Sequence, residues 1–241
     1  IVDTPVFQRL RNIKQLGVVY YVFPSAHHTR FEHSIGVGYL ARKMLREIRE
    51  RQPELEITDD HLMCVEIAGL CHDLGHGPWS HLFDDFLDDS FKLDKCDSDS
   101  SNSKNNPNNL LIHEHRSIYL FRKIVSKYKL PLSPVQVQLI CDMIIPKPEN
   151  TGFLYQIVAN HSTGIDVDKF DYLIRDCFFL GFPNRFDFRK IFRNVRVING
   201  NLCYSEKSRF DVYDLFITRY RMHVQVYRHP VVQSFELLHI D

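Results

Sequence analysis

The sequence has no surplus of charge of either sign, with 30 Lys and Arg against 30 Asp and Glu. No bulk field therefore draws the chain to a nucleic acid or a membrane surface, and any anion it binds must be held by a local cluster. Its cysteines, at 64, 71, 96, 141, 177 and 203, form no C-x-x-C pair. That argues against a disulfide framework or a structural zinc ribbon and for a reducing compartment. There is no signal peptide and no apolar run long enough to span a bilayer, so no membrane partner is expected. No repeat of about 20–50 residues is visible. An initial Met is also missing, and the stretch from Phe235 to Asp241 reads as an unfinished helix, so we expect a piece of a longer chain. What is present fits a globular protein: 241 residues, 44% hydrophobic and 25% charged. That is enough for one sizeable core and does not force two domains. The 13 histidines point mildly to metal or phosphate chemistry.

The periodicity predicts a mainly α fold. Pro5 starts a short helix, with Phe7, Leu10, Ile13 and Leu16 at helical spacing. Residues 17–28 read as a loop or short strand around Pro24. A long amphipathic helix follows from about Arg30 to Arg51 and ends before Pro53. Thr58 caps the next helix, with Asp59 and Asp60 in its first turn. That helix is apolar nearly all round, which implies burial, and it delivers Cys71-His72-Asp73. The Ser/Asn/Asp-rich stretch 88–109 reads as a disordered insertion loop. Helices are expected at about 113–128, 133–145, 151–160 and 166–180, and a last one from about Arg209 to Tyr227. Alternation around Asn199-Gly200 predicts one small β-hairpin near 193–204.

The chemistry gathers on His72-Asp73. Adjacent helical residues diverge by about 100°, so both reach one ion only if the helix end presses close to it. Gly75 and Gly77 are expected to permit that approach. With His33 and Asp168 they make a candidate set of two imidazoles and two carboxylates. Such a set suits first-row ions such as Mn, Fe, Ni or Zn and leaves positions for water and phosphate oxygens. A bare His-Asp pair is common, and a lone His33 would more often be a core or surface histidine. The context is what carries weight: an apolar helix, then L-G-H-G-P, then His81 and Asp84.

Three motifs, R-F-E-H-S (30–34), C-H-D-L-G-H-G-P-W-S-H (71–81) and G-I-D-V-D-K-F-D-Y (164–172), resemble the HD-superfamily deoxynucleoside triphosphate triphosphohydrolases. The likeness is greatest to the vertebrate branch that joins a SAM domain to the HD domain. It runs from the first residues to at least His229, interrupted mainly by the insertion. It implies an HD-domain helical core, here one catalytic domain over 1–241 that is C-terminally truncated. It also implies metal-dependent hydrolysis of a dNTP, dGTP included, to a deoxynucleoside and inorganic triphosphate. By position, His33, His72, Asp73 and Asp168 would be metal ligands, with Mg possible on the nucleotide. His76, Asp84 and His113 would be catalytic, with His113 the proton donor. In H-E-H-R-S (113–117) the register follows the insertion.

Around these residues, Arg30 shares a helix face with His33, and an Arg fork beside a metal suits a polyphosphate. Arg219, His223 and Tyr227 stand at i, i+4, i+8, which on its own describes a solvated helix face. The resemblance implies instead that Arg30, Lys169 and Arg219 grip the triphosphate, with His223 beside them. It further implies that Gln15, Leu16, Tyr172, Asp176 and Tyr227 border the sugar and exclude a 2′-hydroxyl. Arg228 departs from the pattern, which has an amide residue there.

For regulation, the resemblance implies activation by GTP or a dNTP at subunit interfaces and a homotetramer of the full-length protein. Asp3, Gln8 and Arg11 would read the activator's guanine, since a carboxylate accepts from its N1–H and N2 amine and Arg donates to its acceptors. Lys207 and His229 would complete the allosteric nucleotide sites. The plain alternative for the first three is a polar first-turn face. The lobe that finishes these sites and the SAM domain are absent, so residues 1–241 alone are expected to hold a catalytic centre without assembling a regulated tetramer. The resemblance also implies a nuclear, or else cytoplasmic, setting, a lowering of dNTP pools with antiviral and innate-immune consequences, and a possible single-stranded nucleic-acid partner. Two other readings compete: an HD phosphohydrolase for a different nucleotide, and a catalytically silent nucleotide- or nucleic-acid-binding paralogue.

Overall fold

A computed structural model describes residues 1–93 and 110–240. Local sequence sets most of the element boundaries. The short α1 (Pro5–Gln8) is capped by Thr4 and passes into a 3₁₀ turn over Arg9–Asn12. α2 runs from Arg30 to Arg51. At its start the Glu32 carboxylate accepts from the Thr29 backbone N–H at 3.0 Å, one arm of a capping box. α3 (Asp59–Cys71) opens on the reciprocal pair His61 N–H to Thr58 Oγ1 and Thr58 N–H to His61 Nδ1, both 3.2 Å. Then come α4 (His81–Leu93), α5 (His113–Tyr128), α6 (Pro134–Ile144, capped by Ser133), α7 (Tyr155–Val158) and α8 (Val167–Leu180). Asp166 caps α8 by accepting from Lys169 N–H at 3.0 Å. α9 (Phe188–Asn194) leads into an antiparallel hairpin of β1 (Arg196–Ile198) and β2 (Asn201–Cys203), which turns at Asn199-Gly200. α10 (Arg209–Met222), a π turn (His223–Tyr227) and α11 (Pro230–Ile240) complete the described chain.

The fold class is the expected one, mainly helical with one small hairpin. Four boundaries differ from the sequence reading. Residues 17–28 hold a 3₁₀ turn, Gly17–Tyr21, with only a single bridge at Lys14 and Thr29. Gly17 takes φ +53°, and an added Cβ would stand 2.5 Å from the Trp79 carbonyl oxygen, so the chain here is shaped by a close contact and not by sheet pairing. The helix expected at 151–160 shrinks to Tyr155–Val158, because Gly152 turns the chain at φ +121° and the Asn160 side chain binds the N–H groups of Ser162 and Thr163. The helix expected to reach Tyr227 leaves α geometry at Met222. The insertion was placed at 88–109, yet α4 continues through Leu93; residues 94–109 lie outside the described residues.

α3 sits in the interior, as its apolar circumference requires, with Leu62, Val65, Ala68 and Cys71 buried. It runs antiparallel to α2, and the two backbones meet at Gly38 and Gly69. A Cβ on Gly69 would lie 2.9 Å from the Gly38 Cα and 3.0 Å from the Val37 carbonyl oxygen. This contact places His33, near the start of α2, beside His72, at the end of α3. α8 crosses α2 on its other side and brings in its first turn. The described cysteines, 64, 71, 141, 177 and 203, are all free thiols. Among the described residues no helix is long and apolar enough to cross a membrane.

The glycine contact gives a direct test. Gly69→Ala should destabilise the protein by about 1–3 kcal/mol, the usual cost of overpacking a closed interface. Urea unfolding would show it as a lower midpoint at unchanged slope, and divalent-metal affinity should fall with it.

Candidate active site

The proposed ligands converge. His33 Nε2 lies 3.1 Å from Asp168 Oδ1 and 3.4 Å from Asp73 Oδ2. His72 Nε2 lies 3.4 Å from Asp73 Oδ1 and 3.5 Å from Asp168 Oδ1. Ligands held about 2.1 Å from one ion stand roughly 3.0–3.4 Å apart, according to whether the angle between them is octahedral or tetrahedral. The spacing is therefore that of a shared coordination point. Tautomers agree with it. His33 Nδ1 bonds Asp171 Oδ2 at 2.8 Å and His72 Nδ1 bonds the Gly69 carbonyl at 2.7 Å. Each Nε2 lone pair is thus turned toward the common point, the arrangement metal-bound histidines adopt. His72 Nε2 is buried with no hydrogen-bond partner among the described residues. An orphaned imidazole nitrogen facing two carboxylates fits a divalent cation.

The electrostatics of the cluster ask for positive charge. Burial works against a charged His33, but hydrogen bonds with Asp168, Asp171 and Asp73 outweigh it and push the imidazole well above its ordinary range. His72 is raised as well, because Asp73 and Asp168 overcome its burial. Burial would raise Asp73, but Arg30, then His72 and His76, hold it well below the usual carboxylate range. Asp168 is lowered through His33 and His72 against the same penalty. Imidazole protons or a divalent ion satisfy this demand, so metal binding here is linked to proton release.

The loop after Asp73 is fixed from two sides. Arg9 donates to the carbonyls of Leu74 and His76, and Arg116 Nε donates to the carbonyl of Gly75 at 2.8 Å. Ser117 Oγ accepts from Gly75 N–H at 2.8 Å and lies 2.6 Å from the His72 carbonyl. The two glycines also have tight contacts of their own. A Cβ on Gly75 would stand 2.0 Å from the His113 carbonyl oxygen, and one on Gly77 would stand 2.1 Å from the Phe83 ring. They admit α5 and α4 against the loop. Trp79 and Ser80 take left-handed φ of 63° and 60°, a strained pair. Ser80 Oγ holds the bend by donating to the Lys14 carbonyl at 2.6 Å and accepting from Arg30 Nε at 3.0 Å.

Beside the metal point lies a second cluster. His113 Nδ1 bonds Asp84 Oδ2 at 2.6 Å, and His113 stacks on His76 with centroids 3.9 Å apart. His81, which the sequence reading named only as context, joins them edge-on at 4.8 Å from His76 and 5.2 Å from His113. Burial first, and then Arg30, lower both His76 and His81, the latter to about 4. Both rings are therefore neutral at pH 7. His76 is wholly buried, and neither of its ring nitrogens has a hydrogen-bond partner among the described residues. The three proposed catalytic residues, His76, Asp84 and His113, are thus brought together.

A cavity of about 640 Å³ joins both clusters. Gln15, Leu16, Arg30, Lys169, Tyr172, Asp176, His223 and Tyr227 all line it, as do His72, Asp73 and Asp168. One wall is locked by hydrogen bonds: Tyr227 OH donates to Asp176 Oδ2 at 2.6 Å, and His28 Nε2 bonds Asp176 Oδ1 at 2.7 Å. Burial and Asp176 push the Tyr227 phenol well above its ordinary range, and burial and Asp168 do the same to Tyr172 against Arg219. Two of the expected phosphate grips already hold carboxylates. Arg30 is buried and donates to Asp73 Oδ2 at 2.5 Å, to Ser80 Oγ and to the Gln15 carbonyl; Lys169 Nζ lies 3.0 Å from Asp166 Oδ2. Arg219 is exposed and does not itself line the cavity, but it hydrogen-bonds with Tyr172, which does. His223 and Tyr227 remain in edge contact at 5.1 Å. Arg228 is exposed and does not line the cavity.

The regulatory set is only partly assembled. Gln8 Nε2 donates to the Val2 carbonyl, Arg11 Nε donates to Gln8 Oε1 at 2.8 Å, and the Arg11 guanidinium lies 3.6 Å from the Phe31 ring centroid. Asp3 is exposed beside them. Lys207 sits on the 3₁₀ turn Glu206–Ser208 and His229 packs edge-on to Phe23; neither bonds to that stretch. The sequence reading missed His28, Asp171, Arg175, Arg9 and Arg116. Asp171 had a usable signal, its place three residues after Asp168 on a helix. His28 and Arg9 had none, since their partners are 148 and 67 residues away.

The sequence profile of the HD domain matches residues 30–176. The human protein named deoxynucleoside triphosphate triphosphohydrolase SAMHD1 is 43% identical over 100% of this chain and 41% of its own length. Its Dictyostelium discoideum homologue is 42% identical over 100% of this chain and 44% of its own. A putative HD domain-containing protein, L394, of Acanthamoeba polyphaga mimivirus is 40% identical, over 99% and 52% respectively. The chain thus spans about two fifths to one half of the length of these relatives.

Asp171→Asn tests the convergence from its outer layer. It should weaken divalent-metal affinity by about 10–100-fold, the usual cost of losing a carboxylate behind a ligand histidine. Titration calorimetry of metal-stripped protein would measure it.

Proposed function

This chain belongs to the HD-domain family, and on that footing we propose that it is the catalytic core of a dNTP triphosphohydrolase. One observation carries the reading: a coordination point of two His and two Asp opens onto the same cavity as a buried carboxylate–phenol wall and a His113–Asp84 pair. A divalent Fe, Mn, Ni or Zn ion held by His33, His72, Asp73 and Asp168 would polarise a phosphoryl oxygen and acidify water. The chain's own residues do the rest.

Arg30 has one N–H left on each Nη after its present bonds, enough to donate to an α-phosphate beside Asp73. Lys169 and Arg219 supply further cations toward the β- and γ-phosphates, with Mg on the nucleotide, and His223 adds an imidazole. Asp84 accepts the His113 Nδ1–H, so that a second proton carried on Nε2 of the imidazolium would pass to the leaving 5′-oxygen and leave the neutral ring on Asp84. His76 stays neutral against it and cannot compete as a charged acid. Gln15, Leu16, Tyr172, Asp176 and Tyr227 border the sugar. Asp176 is already engaged by Tyr227 and His28, while Gln15 Oε1 is buried without a partner among the described residues, so exclusion of a 2′-hydroxyl would rest on the closeness of the Tyr172 and Tyr227 wall. The relatives' names support the substrate class. In the longer protein, GTP or a dNTP bound by Asp3, Gln8 and Arg11, with Lys207 and His229 from other parts of the assembly, would promote the tetramer.

Product analysis tests the reading. Full-length protein with Mn should release inorganic triphosphate from dGTP, and no orthophosphate or pyrophosphate; release of either of the latter points to another HD chemistry. His72→Ala and Asp73→Ala should both fall to background, and an unchanged function in them would favour a silent binding protein. Tyr172→Ala should narrow the ratio of kcat/KM for dGTP over GTP by about tenfold, the scale of a steric pocket effect.

A further inference from the structure

Arg116 stands one helical turn into α5, within the H-E-H-R-S stretch but with no role given to it by the site motifs. Its guanidinium is nonetheless the most heavily shared group there. Nε donates to the Gly75 carbonyl at 2.8 Å, Nη1 donates to the carbonyls of Leu110 and Leu111 at 2.8 Å each, and Nη2 donates to Asp84 Oδ1. It also lies 5.5 Å from the Phe83 ring. One side chain therefore ties together the loop that follows the metal ligands, the segment that leads into α5, and the first turn of α4.

We infer that Arg116 is a positioning residue for His113, acting through Asp84. The argument is geometric. A carboxylate with both oxygens free can rotate and offer His113 either one. Arg116 occupies Oδ1, so Oδ2 is the oxygen left for His113 Nδ1, at 2.6 Å. With Nδ1 committed, Nε2 is the nitrogen available to the cavity that His113 lines. Arg116 also compensates charge. Asp84 is partly buried, and its carboxyl stays below the usual range because His113 and Arg116 outweigh that burial. Among the described residues, the groups facing His113 are Asp84, Arg116 through it, Glu114 at 3.4 Å, and the rings of His76 and His81. Without the Arg116 cation, Asp84 would face His113 with its full negative charge and no fixed orientation. Arg116 thus steadies the carboxylate that orients the donor, a third-group role familiar from triads of base and orienting carboxylate. Arg116 never meets the substrate.

The inference rests on the His113 role proposed above, so its test needs one readout that does not. In the full protein loaded with Mn, Arg116→Met should lower kcat for triphosphate release by about 10²-fold, the lower end of what a general acid supplies, while KM holds within about twofold. The basic limb of the kcat profile should move to higher pH. Arg116→Lys, which keeps the cation and loses the fork, should fall between Met and wild type. Arg9→Met is the control: it loosens the same loop through Leu74 and His76 and does not touch Asp84, so it should leave that limb in place. Should Arg116→Met be too unstable to assay, the Lys variant and guanidinium rescue of Arg116→Ala carry the comparison. If Arg116→Met matches Arg9→Met, or changes KM and thermal stability with no movement of the limb, Arg116 is only a loop anchor and the inference is wrong. The independent readout is the imidazole NMR titration of His113 in substrate-free protein, where Arg116→Met should raise the midpoint. A raised midpoint in protein that releases no triphosphate would overturn the function and keep the positioning role. An unmoved midpoint overturns the positioning role whatever the activity.

Discussion

Two imidazoles, each within 3.5 Å of the same two carboxylates at a largely buried point, are the constraint on which the structure depends. Gathering charged groups in a poorly solvated place is costly unless each is paired and fixed. The fold meets the requirement in layers. The four ligands come from the start of α2, the end of α3 and the first turn of α8. Behind them stand Arg30 on Asp73, Asp171 on His33 and the Gly69 carbonyl on His72. Behind those, Arg175 grips both oxygens of Asp171 at 2.8 Å. Each layer fixes the charge or the tautomer of the one inside it.

Backbone proximity makes this layering possible. Asp171 reaches His33 only because Gly36 has no side chain: a Cβ there would stand 1.9 Å from Asp171 Oδ1. α2 and α3 come close enough to share a ligand point only because Gly38 faces Gly69. The HD loop is seated on α5 through Gly75. The glycines that matter are thus contact glycines, and the metal geometry follows from how closely helices pack and not from flexibility near the ion.

The sequence made the centre legible and the supports obscure, for a physical reason. Ligands must be His or Asp, and their order on helices leaves local marks: an apolar helix ending in His72-Asp73, or Asp168 in the first turn after the Asp166 cap. Caps and turns are local too, so α2, α5, α8 and the hairpin appeared at their true positions. The supports are carbonyls and long side chains whose partners lie far along the chain. Arg9 holds carbonyls 65 and 67 residues away, and His28 meets Asp176 across 148. An Arg near an N-terminus or a His before a Thr carries no mark of that. The π turn was hidden similarly. The apolar pattern of α10 runs on past Met222, and only packing of Val226 into the core shows that the register slips there.

The cavity itself is divided by how its polar groups are spent. On the side of Tyr227, Asp176 and His28, both Asp176 oxygens are engaged in a buried chain, and His28 Nδ1 is left without a partner among the described residues. On the metal side the balance is looser. Arg30 and Lys169 rest on Asp73 and Asp166, and burial together with Asp168 pushes the Asp166 carboxyl up. A raised carboxyl is the weaker partner for Lys169, and a polyphosphate is a stronger one, so Lys169 can exchange its carboxylate for phosphate at little cost. Arg30 cannot exchange so freely, because Asp73 depends on it for its charge. The two cations that look equivalent in sequence are therefore different in kind. On the proposed reading, Arg30 would meet phosphate with the donors left beside Asp73, and Lys169 would be the one free to follow the arriving charge.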